Sequence, residues 1–319
     1  MTRTLLTGAN GFVGKILCSS LQQAGHHVIA LTGNGSSSST LANEHISCDI
    51  RDAAALRQAV AKAKPDLVVH LAAISNVALS FKDPLLTWQT NVMGCLNLLE
   101  ALRLEAPKVF VLFASSSEVY GATFKQSIPL DEGAPCQPMN PYAASKLAAE
   151  AAFHEYFRQG MAGVIVRPFN HIGAGQSAEF VTASFARQIA LIEAGQQPPQ
   201  MKVGNLQAER DFLDVRDVCA AYLQLLKLAD QQANYPRCFN ISSGQPRKIQ
   251  TILNDLLDLS SQKIEIVEDP ERMRPSDISS ASGNSTAICQ FTGWQPAIDL
   301  NDTLTDLLAA WRAQASLTS

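Results

Sequence analysis

The sequence predicts an α/β protein built on a doubly wound parallel sheet, with a smaller C-terminal α/β lobe. Three observations carry this expectation. A short apolar strand, Thr4-Leu5-Leu6-Thr7, meets Gly8-Ala9-Asn10-Gly11-Phe12-Val13-Gly14, and the helical pattern Ile16, Leu17, Ser20, Leu21 follows until Gly25 stops it. Strand and helix patterns then alternate along the chain, as βαβ units require. Strands such as Lys108-Val109-Phe110-Val111-Leu112-Phe113 are continuous apolar runs, which belong in the middle of a parallel sheet.

The glycine turn supplies what a dinucleotide pyrophosphate needs, backbone that approaches the phosphates closely and amides at a helix N-terminus. An ordinary tight turn would not need the strand before it and the helix after it. The second strand is His27-Val28-Ile29-Ala30-Leu31, after which NAD would be met by an Asp or Glu on its ribose. Thr32-Gly33-Asn34-Gly35 stands there instead. Ser36 to Ser39 reads as a polar surface loop whose hydroxyls could approach a 2′-phosphate.

Next, His45-Ile46-Ser47-Cys48 leads to Asp49-Ile50, Asp52 caps a helix through Ala63, and Asp66-Leu67-Val68-Val69-His70-Leu71 is a buried strand ending in Ala72-Ala73. Those small residues serve either tight packing or close approach of a ligand. One long helix runs from Pro84 to Glu105 and carries Asn91-Val92-Met93-Gly94. The apolar strand ends in Ala114-Ser115-Ser116-Ser117-Glu118-Val119-Tyr120-Gly121, and open α/β sheets bind ligands outside the carboxyl ends of their strands.

A Pro-rich connection from Ile128 to Pro141 precedes a helix from Tyr142 to about Gln159. The strand Val164-Ile165-Val166 follows, with Arg167-Pro168-Phe169-Asn170. Beyond it the order changes. A helix spans Val181 to Ala194, a short strand lies near Met201, Arg210-Asp211-Phe212 follows, a helix spans Asp217 to Leu228, and Phe239-Asn240-Ile241 is a strand. The tail holds a helix after Lys248, a strand from Lys263 to Val267, Arg272-Met273-Arg274-Pro275, and an amphipathic helix from Leu300 to Ala313. Residues 1–168 are expected to form the dinucleotide-binding domain, rejoined by 215–242, and 169–319 mainly the second lobe. No internal repeat is present.

With 319 residues, 46% of them hydrophobic, the chain can bury a large core. A net charge of −4 offers no basic face, which argues against nucleic acid or a membrane surface as a partner. The seven cysteines, at 18, 48, 95, 136, 219, 238 and 289, show neither C-x-x-C nor Cys/His spacing. That points to a reduced, cytoplasmic setting, with no metal expected. The N-terminus runs straight into the glycine turn without the apolar core of a signal peptide, and no run is long enough to span a membrane.

In the helix from Tyr142 to about Gln159, Tyr142 and Lys146 are four residues apart at the start. That spacing stacks them on one face, where the ammonium would favour the ionised phenol and the phenol could exchange a proton with a sugar hydroxyl or carbonyl. Alone, such a pair usually marks a solvated helical face.

Taken together, Thr7 to Gly14, Asp49-Ile50, His70 to Ala73, Asn91 to Gly94, Ser115 to Gly121, Tyr142 with Lys146, Arg167 to Asn170 and Arg210-Asp211-Phe212 make the chain resemble the extended short-chain dehydrogenase/reductase family. The likeness covers nearly the whole length and implies a Rossmann-type sheet. It implies Ser116, Tyr142 and Lys146 as a catalytic triad, in which Ser116 holds the substrate oxygen, Tyr142 transfers the proton, and Lys146 binds the nicotinamide ribose and lowers the phenol pKa. The implied cofactor set is Gly8, Asn10, Gly11, Phe12, Val13, Gly14, Thr32, Asp49, Ile50, Leu71, Ala72, Ala73, Asn91, Ala114 and Pro168, with Tyr142 and Lys146. The implied substrate set is Ser75, Ser116, Glu118, Asn170, His171, Val203, Asn205, Arg210 and Arg274.

The Ser-Ser-Glu trio before Val-Tyr-Gly resembles the branch that dehydrates GDP-mannose and reduces the resulting 4-ketone. Asn170-His171-Ile172-Gly173-Ala174-Gly175-Gln176 lacks the Glu-Ser-Pro-Arg-Arg run of the dehydratases and is similar to the reductases, as are Lys202 to Leu206 and Arg272 to Pro275. The resemblance therefore implies NAD(P)H-dependent reduction of a GDP-4-keto-6-deoxyhexose, with NADP(H) favoured weakly over NAD(H). A 4,6-dehydratase or another nucleotide-sugar epimerase is the alternative. An idle dinucleotide-binding regulator is a third reading, against which the intact Ser116, Tyr142 and Lys146 argue. Glu118, placed in the catalytic group, reads equally as a structural acid. Arginines 210 and 274 would grip the diphosphate, while Phe169, Phe180 and Trp294 read as core. The resemblance also implies a homodimer through the helices around Pro84 to Glu105 and Tyr142 to Gln159.

Overall fold

The structure, a computed structural model, describes residues 1–33, 41–231, 235–272 and 278–317. Asn34-Gly35, the Ser36 to Ser39 loop and Met273-Arg274-Pro275 lie outside the described residues. Strand β1 (Arg3–Thr7) enters the glycine turn, and α1 (Phe12–Gln23) leaves it with Gly14, Leu17, Cys18 and Leu21 on its buried face. β2 (His27–Thr32) is nearly all buried, whereas β3 (Glu44–Ser47) alternates half-buried and exposed residues as an edge strand does. The Asp52 carboxylate caps α2 (Ala53–Ala63) by accepting the Ala55 N–H at 3.0 Å, and β4 (Leu67–His70) is fully buried.

The helix expected from Pro84 to Glu105 is divided. α3 (Val77–Lys82) comes first, then α4 (Pro84–Trp88), a π turn (Gln89–Met93) and α5 (Gly94–Glu105). The π turn faces Asn91 inward, where its Nδ2 donates to the Ile74 carbonyl (3.0 Å) and Ser145 Oγ (2.9 Å) while its Oδ1 accepts the Ile74 N–H (2.8 Å). Such side-chain-to-loop bonding leaves no mark on the hydrophobic period.

β5 (Phe110–Ala114), α6 (Pro141–Arg158) and β6 (Ala162–Pro168) follow. The chain then passes through β7 (Asn170–Ile172), α7 (Val181–Glu193), β8 (Gln200–Val203) and β9 (Glu209–Asp214), and returns by α8 (Val215–Leu226) to β10 (Cys238–Ile241). The main sheet has seven strands in the order β3-β2-β1-β4-β5-β6-β10, every neighbouring pair parallel. Its order reverses between β1 and β4, which opens a crevice at the carboxyl ends. Alternate strand residues serve opposite faces: Leu6 and Val69 pack with Leu17, Leu21 and Tyr222 of α1 and α8, while Leu5 and Val68 pack with Val60, Leu98 and Phe153 of α2, α5 and α6.

The remaining elements are β11 (Pro246–Lys248), α9 (Ile249–Asp258), β12 (Glu265–Glu268), β13 (Ser280–Ala281), α10 (Thr286–Thr292) and α11 (Leu300–Leu317). β9 pairs with β7, β11 and β13, and β8 pairs with β12. Phe185, Ile189, Ile252, Leu256, Leu304 and Leu308 of α7, α9 and α11 form a separate core. The last helix runs four residues past the expected Ala313, and its Arg312 pairs with Glu193 of α7 at 2.7 Å. Phe169 and Trp294 are buried as expected. Phe180 is not: it is 42% exposed, because it is the N-cap of α7 and precedes that helix's packing face.

Candidate active site

Gly8 has φ +70°, a backbone L side chains rarely adopt, and a Cβ there would lie 2.8 Å from the Ala72 nitrogen. At Gly14 a Cβ would meet the Gly8 carbonyl oxygen at 2.3 Å. The turn is thus backbone packed on backbone between β1, β4 and α1, with Leu71, Ala72 and Ala73 half-buried beside it. The N-cap of α1 is Gly11, with no side-chain cap and no acid in the first turn, so its amides are left for an anion. This cradle fits a dinucleotide pyrophosphate. Asn10 and Val13 are half-buried at the turn, and Phe12 stacks on His171 with ring centroids 6.1 Å apart and planes 5° apart.

Thr32 ends β2 in register with Ser47. From Ser47 onward a cleft of about 540 Å³ is lined by Ser47, Cys48, Asp49, Arg51, Asp52, Ala55, Gln89 and Met93. The Asp49 carboxylate is forked by the Arg51 guanidinium, with Nη2 2.5 Å from Oδ2, and this bond holds its carboxyl below the usual range. Ile50 follows Asp49 at this cleft. Its side chain is packed against Gly94 in the core, so only its backbone is left for a cofactor.

The helix α6 starts where its sequence says: Pro141 takes the first position and Asn140 Oδ1 accepts the Ala143 N–H at 2.8 Å. Tyr142 and Lys146 are both buried on one face, and Ser116 caps the short 3₁₀ turn Ser117–Tyr120 beyond β5. Burial pushes the Tyr142 phenol up to about 12; a hydrogen bond with Ser116 pulls it down and the Glu118 charge pushes it further up. The expected pairing of ammonium with phenol is absent from this balance. Lys146 Nζ instead donates to the Ala114 carbonyl at 2.7 Å and lies 4.8 Å from the Phe113 ring centroid. An ammonium in a dry site needs a carbonyl, and the end of β5 supplies one. Burial brings Lys146 down to about 8, opposed by Cys95 and Glu150. The phenol is therefore neutral at physiological pH and the ammonium largely charged.

Below the ammonium, His70 Nδ1 bonds Thr7 Oγ1 at 2.7 Å and its Nε2 lies 3.2 Å from Cys95 Sγ. Burial, then Lys146, lower His70 to about 3, so it is uncharged. Glu118 is half-buried with Oε2 accepting from Asn140 Nδ2 at 3.1 Å. It acts on both the Tyr142 phenol and Arg210, whose guanidinium burial pushes down and Glu118 pulls back up. Arg210 also donates to the Glu209 carbonyl at 2.7 Å. Ser116, Glu118, Tyr142, Lys146 and Arg210 are thus drawn to one place from β5, α6 and β9.

Other expected residues are less directly engaged. Ser75 and Asn170 are exposed, at the loop after β4 and at the start of β7. His171 Nδ1 bonds the Phe169 carbonyl at 3.0 Å, and burial lowers its pKa. Gly204 sits against the Arg272 carbonyl, where a Cβ would be 2.3 Å away. Arg274 lies outside the described residues. Val203 is 1% exposed in the core of the second lobe, so only its backbone is left for a substrate. The Asn91 side chain is committed to Ile74 and Ser145, and Asn205 Oδ1 accepts the Gln207 N–H in its own turn. Pro168 ends β6 beside Ile241, and Ala114 is the acceptor for Lys146. Sequence reasoning missed Asn140 and Glu150. The Asn-Pro cap signal and the continuation of the Tyr142, Lys146 period would have found both.

A parallel sheet with a glycine cradle at its switch point and a Ser-Tyr-Lys group at the next strand end defines an extended short-chain dehydrogenase/reductase. The chain belongs to the GDP-mannose 4,6 dehydratase family, whose model matches residues 5–307. GDP-6-deoxy-D-mannose reductase of Pseudomonas aeruginosa is 41% identical over 251 residues, 78% of this chain and 81% of that protein. The structure of RMD from Pseudomonas aeruginosa complexed with NADPH aligns with a TM-score of 0.84 at 35% identity, covering 98% of this chain and 100% of that one. UDP-glucose 4-epimerase from Stenotrophomonas maltophila, with bound NAD and formylated UDP-arabinopyranose, aligns at 0.86 and 26% identity over 99% and 100%.

Proposed function

We propose that the protein is an NAD(P)H-dependent oxidoreductase that reduces the C4 ketone of GDP-4-dehydro-6-deoxy-D-mannose, forming GDP-D-rhamnose. The 41% identity to GDP-6-deoxy-D-mannose reductase carries this reading. The site's chemistry agrees with it, because a neutral buried phenol is a proton donor, and a ketone gaining hydride needs one at its oxygen. When bound, the reduced nicotinamide supplies the hydride to C4. Ser116 holds the C4 oxygen, Tyr142 gives it a proton, and Lys146 turns from the Ala114 carbonyl to the nicotinamide ribose. Arg210, with Arg274, meets the diphosphate, to which a guanidinium offers two parallel hydrogen bonds. The N-terminus of α7, without a side-chain cap or an acid in its first turn, adds amides.

Residues 1–168 with 215–242 serve as the dinucleotide half, a division supported by β10 in the main sheet and α8 against α1. The remainder of 169–319 serves as the nucleotide-sugar half. NADPH is used at least as well as NADH, since no carboxylate follows β2 at Thr32-Gly33 to repel a 2′-phosphate. The enzyme works in the cytoplasm as a homodimer through α4, α5 and α6. Seven free cysteines support the first, and apolar Leu85 and Trp88, exposed on α4, support the second. Among the described residues no helix is long and apolar enough to cross a membrane.

A 4,6-dehydratase returns the hydride it takes from C4 to C6, so it shows no net change in reduced-cofactor absorbance. The retained Glu118 beside Tyr142 favours that second reading. Incubation with GDP-4-dehydro-6-deoxy-D-mannose is expected to oxidise one NADPH per ketone, with little reaction on GDP-mannose alone. Efficient conversion of GDP-mannose without added reductant would overturn the reductase and make Glu118 the base at C5.

A further inference from the structure

The carboxylate of Glu150 takes no part in the proposed chemistry, yet it lies where the two halves of the catalytic group meet. Tyr142, Lys146 and Glu150 succeed one another at four-residue steps on α6 and are all buried, so they form one ridge. Glu150 Oε1 accepts from Ser115 Oγ at 2.5 Å and from Arg167 Nε at 3.0 Å, and its Oε2 accepts from Arg167 Nη2 at 2.6 Å. Ser115 immediately precedes Ser116. Arg167 Nη1 donates to the Tyr120 hydroxyl at 3.0 Å, which donates to Asn240 Oδ1 at 2.7 Å. The segment bearing Ser116 and Glu118 is therefore held at both ends, and both holds are anchored on the helix that carries Tyr142 and Lys146.

Stability alone does not account for this arrangement. A buried ion pair loses its hydration, and a packed apolar pair of similar volume often stabilises a fold as well or better. An apolar pair could not set a hydroxyl-bearing segment by hydrogen bonds or place a negative charge near Lys146. The groups facing that ammonium are Glu150 of α6, Cys95 of α5, His70 of β4, and the Phe113 ring and Ala114 carbonyl of β5. His70 and Cys95 are uncharged at neutral pH, held to about 3 and about 12 by burial. Glu150 is left as the anion acting on the ammonium.

We propose that Glu150 is a positioning residue for the reduction, holding Ser116 against Tyr142 through its bonds to Ser115 and Arg167. Its charge also keeps Lys146 protonated through neutral pH. The inference rests on the reductase reading for its kinetic test but not for its binding test.

Ser115→Ala removes one hydroxyl and leaves the ion pair intact. Its kcat is expected to fall about tenfold, with the nucleotide-sugar KM unchanged, as a small misplacement of one catalytic group would produce. Glu150→Gln keeps the shape and removes the charge. In NADPH fluorescence titrations from pH 6 to 10, its affinity should drop at a pH about one unit lower than in the wild type. Wild-type kcat in Ser115→Ala would overturn the inference, as would a kcat loss matched by raised KM and a lowered melting midpoint, the mark of a merely structural residue. A Glu150→Gln affinity profile superimposed on the wild type would also overturn it. If Glu150→Gln does not fold, Ser115→Ala decides. If the wild type does not oxidise NADPH with the 4-keto sugar, the reductase reading fails, while the NADPH titrations, which need no sugar, still decide on Glu150.

Discussion

Lys146→Met tests whether the fold carries its ammonium at a cost in stability. The group is 3% exposed, and burial brings it from its ordinary 10.5 to about 8. That drop corresponds to roughly 3 kcal/mol of stability forgone at neutral pH, where the group is charged in both the folded and unfolded states. Between pH 8 and 10.5 the unfolded chain binds more protons than the folded one, so the wild type gains stability as pH rises through that window. Methionine has no such dependence. It forfeits the hydrogen bond to the Ala114 carbonyl, worth about 1 kcal/mol, and fills a similar volume. At pH 7 the variant should therefore be more stable than the wild type by roughly 1–2 kcal/mol, and that advantage should shrink by about 2 kcal/mol by pH 9.5. Urea unfolding at both pH values measures it. A variant clearly less stable at pH 7, or a difference that does not change with pH, would refute the account of a desolvated ammonium. Catalysis should be lost in the same variant, so a stable and inactive protein is the expected result.

Tyr142→Phe keeps the ring and removes the proton donor, so turnover should fall by roughly 100-fold or more with the circular dichroism spectrum unchanged; near-normal turnover would remove Tyr142 from the mechanism. Arg167→Met leaves Glu150 charged, buried and unpaired, which should destabilise the protein by about 3–5 kcal/mol, measured by urea titration, and adding Glu150→Leu should restore most of the loss. Gly14→Ala puts a Cβ 2.3 Å from the Gly8 carbonyl, so the turn must open; NADPH affinity, read by fluorescence, should fall at least about tenfold. Affinity equal to the wild type would show that the cradle does not hold the pyrophosphate.

What the sequence determined by itself was whatever is written in local order. The glycine turn, the alternation of apolar strands with amphipathic helices and the Asp52 cap are contiguous signals; β1, the turn into α1 and the Asp52 cap stand within a residue or two of their places. The Tyr142 and Lys146 pair and the serine cluster were legible for the same reason, since helical period and strand ends are local, while the family resemblance singled out Ser116 within that cluster. The tertiary structure decided where side-chain polar atoms find partners in a dry interior. It turned the Lys146 ammonium to the Ala114 carbonyl rather than the phenol, because burial leaves a charge only the acceptors within reach. It spent Asn91 on Ile74 and Ser145 through a π turn, put Val203 into the core of the second lobe, and left Phe180 exposed at a helix start. It also joined Ser115, Glu150, Arg167 and Tyr120 from three distant stretches of chain. Hydrogen bonds between such stretches depend on distances of a few ångströms in the folded state, and no spacing along the sequence encodes them.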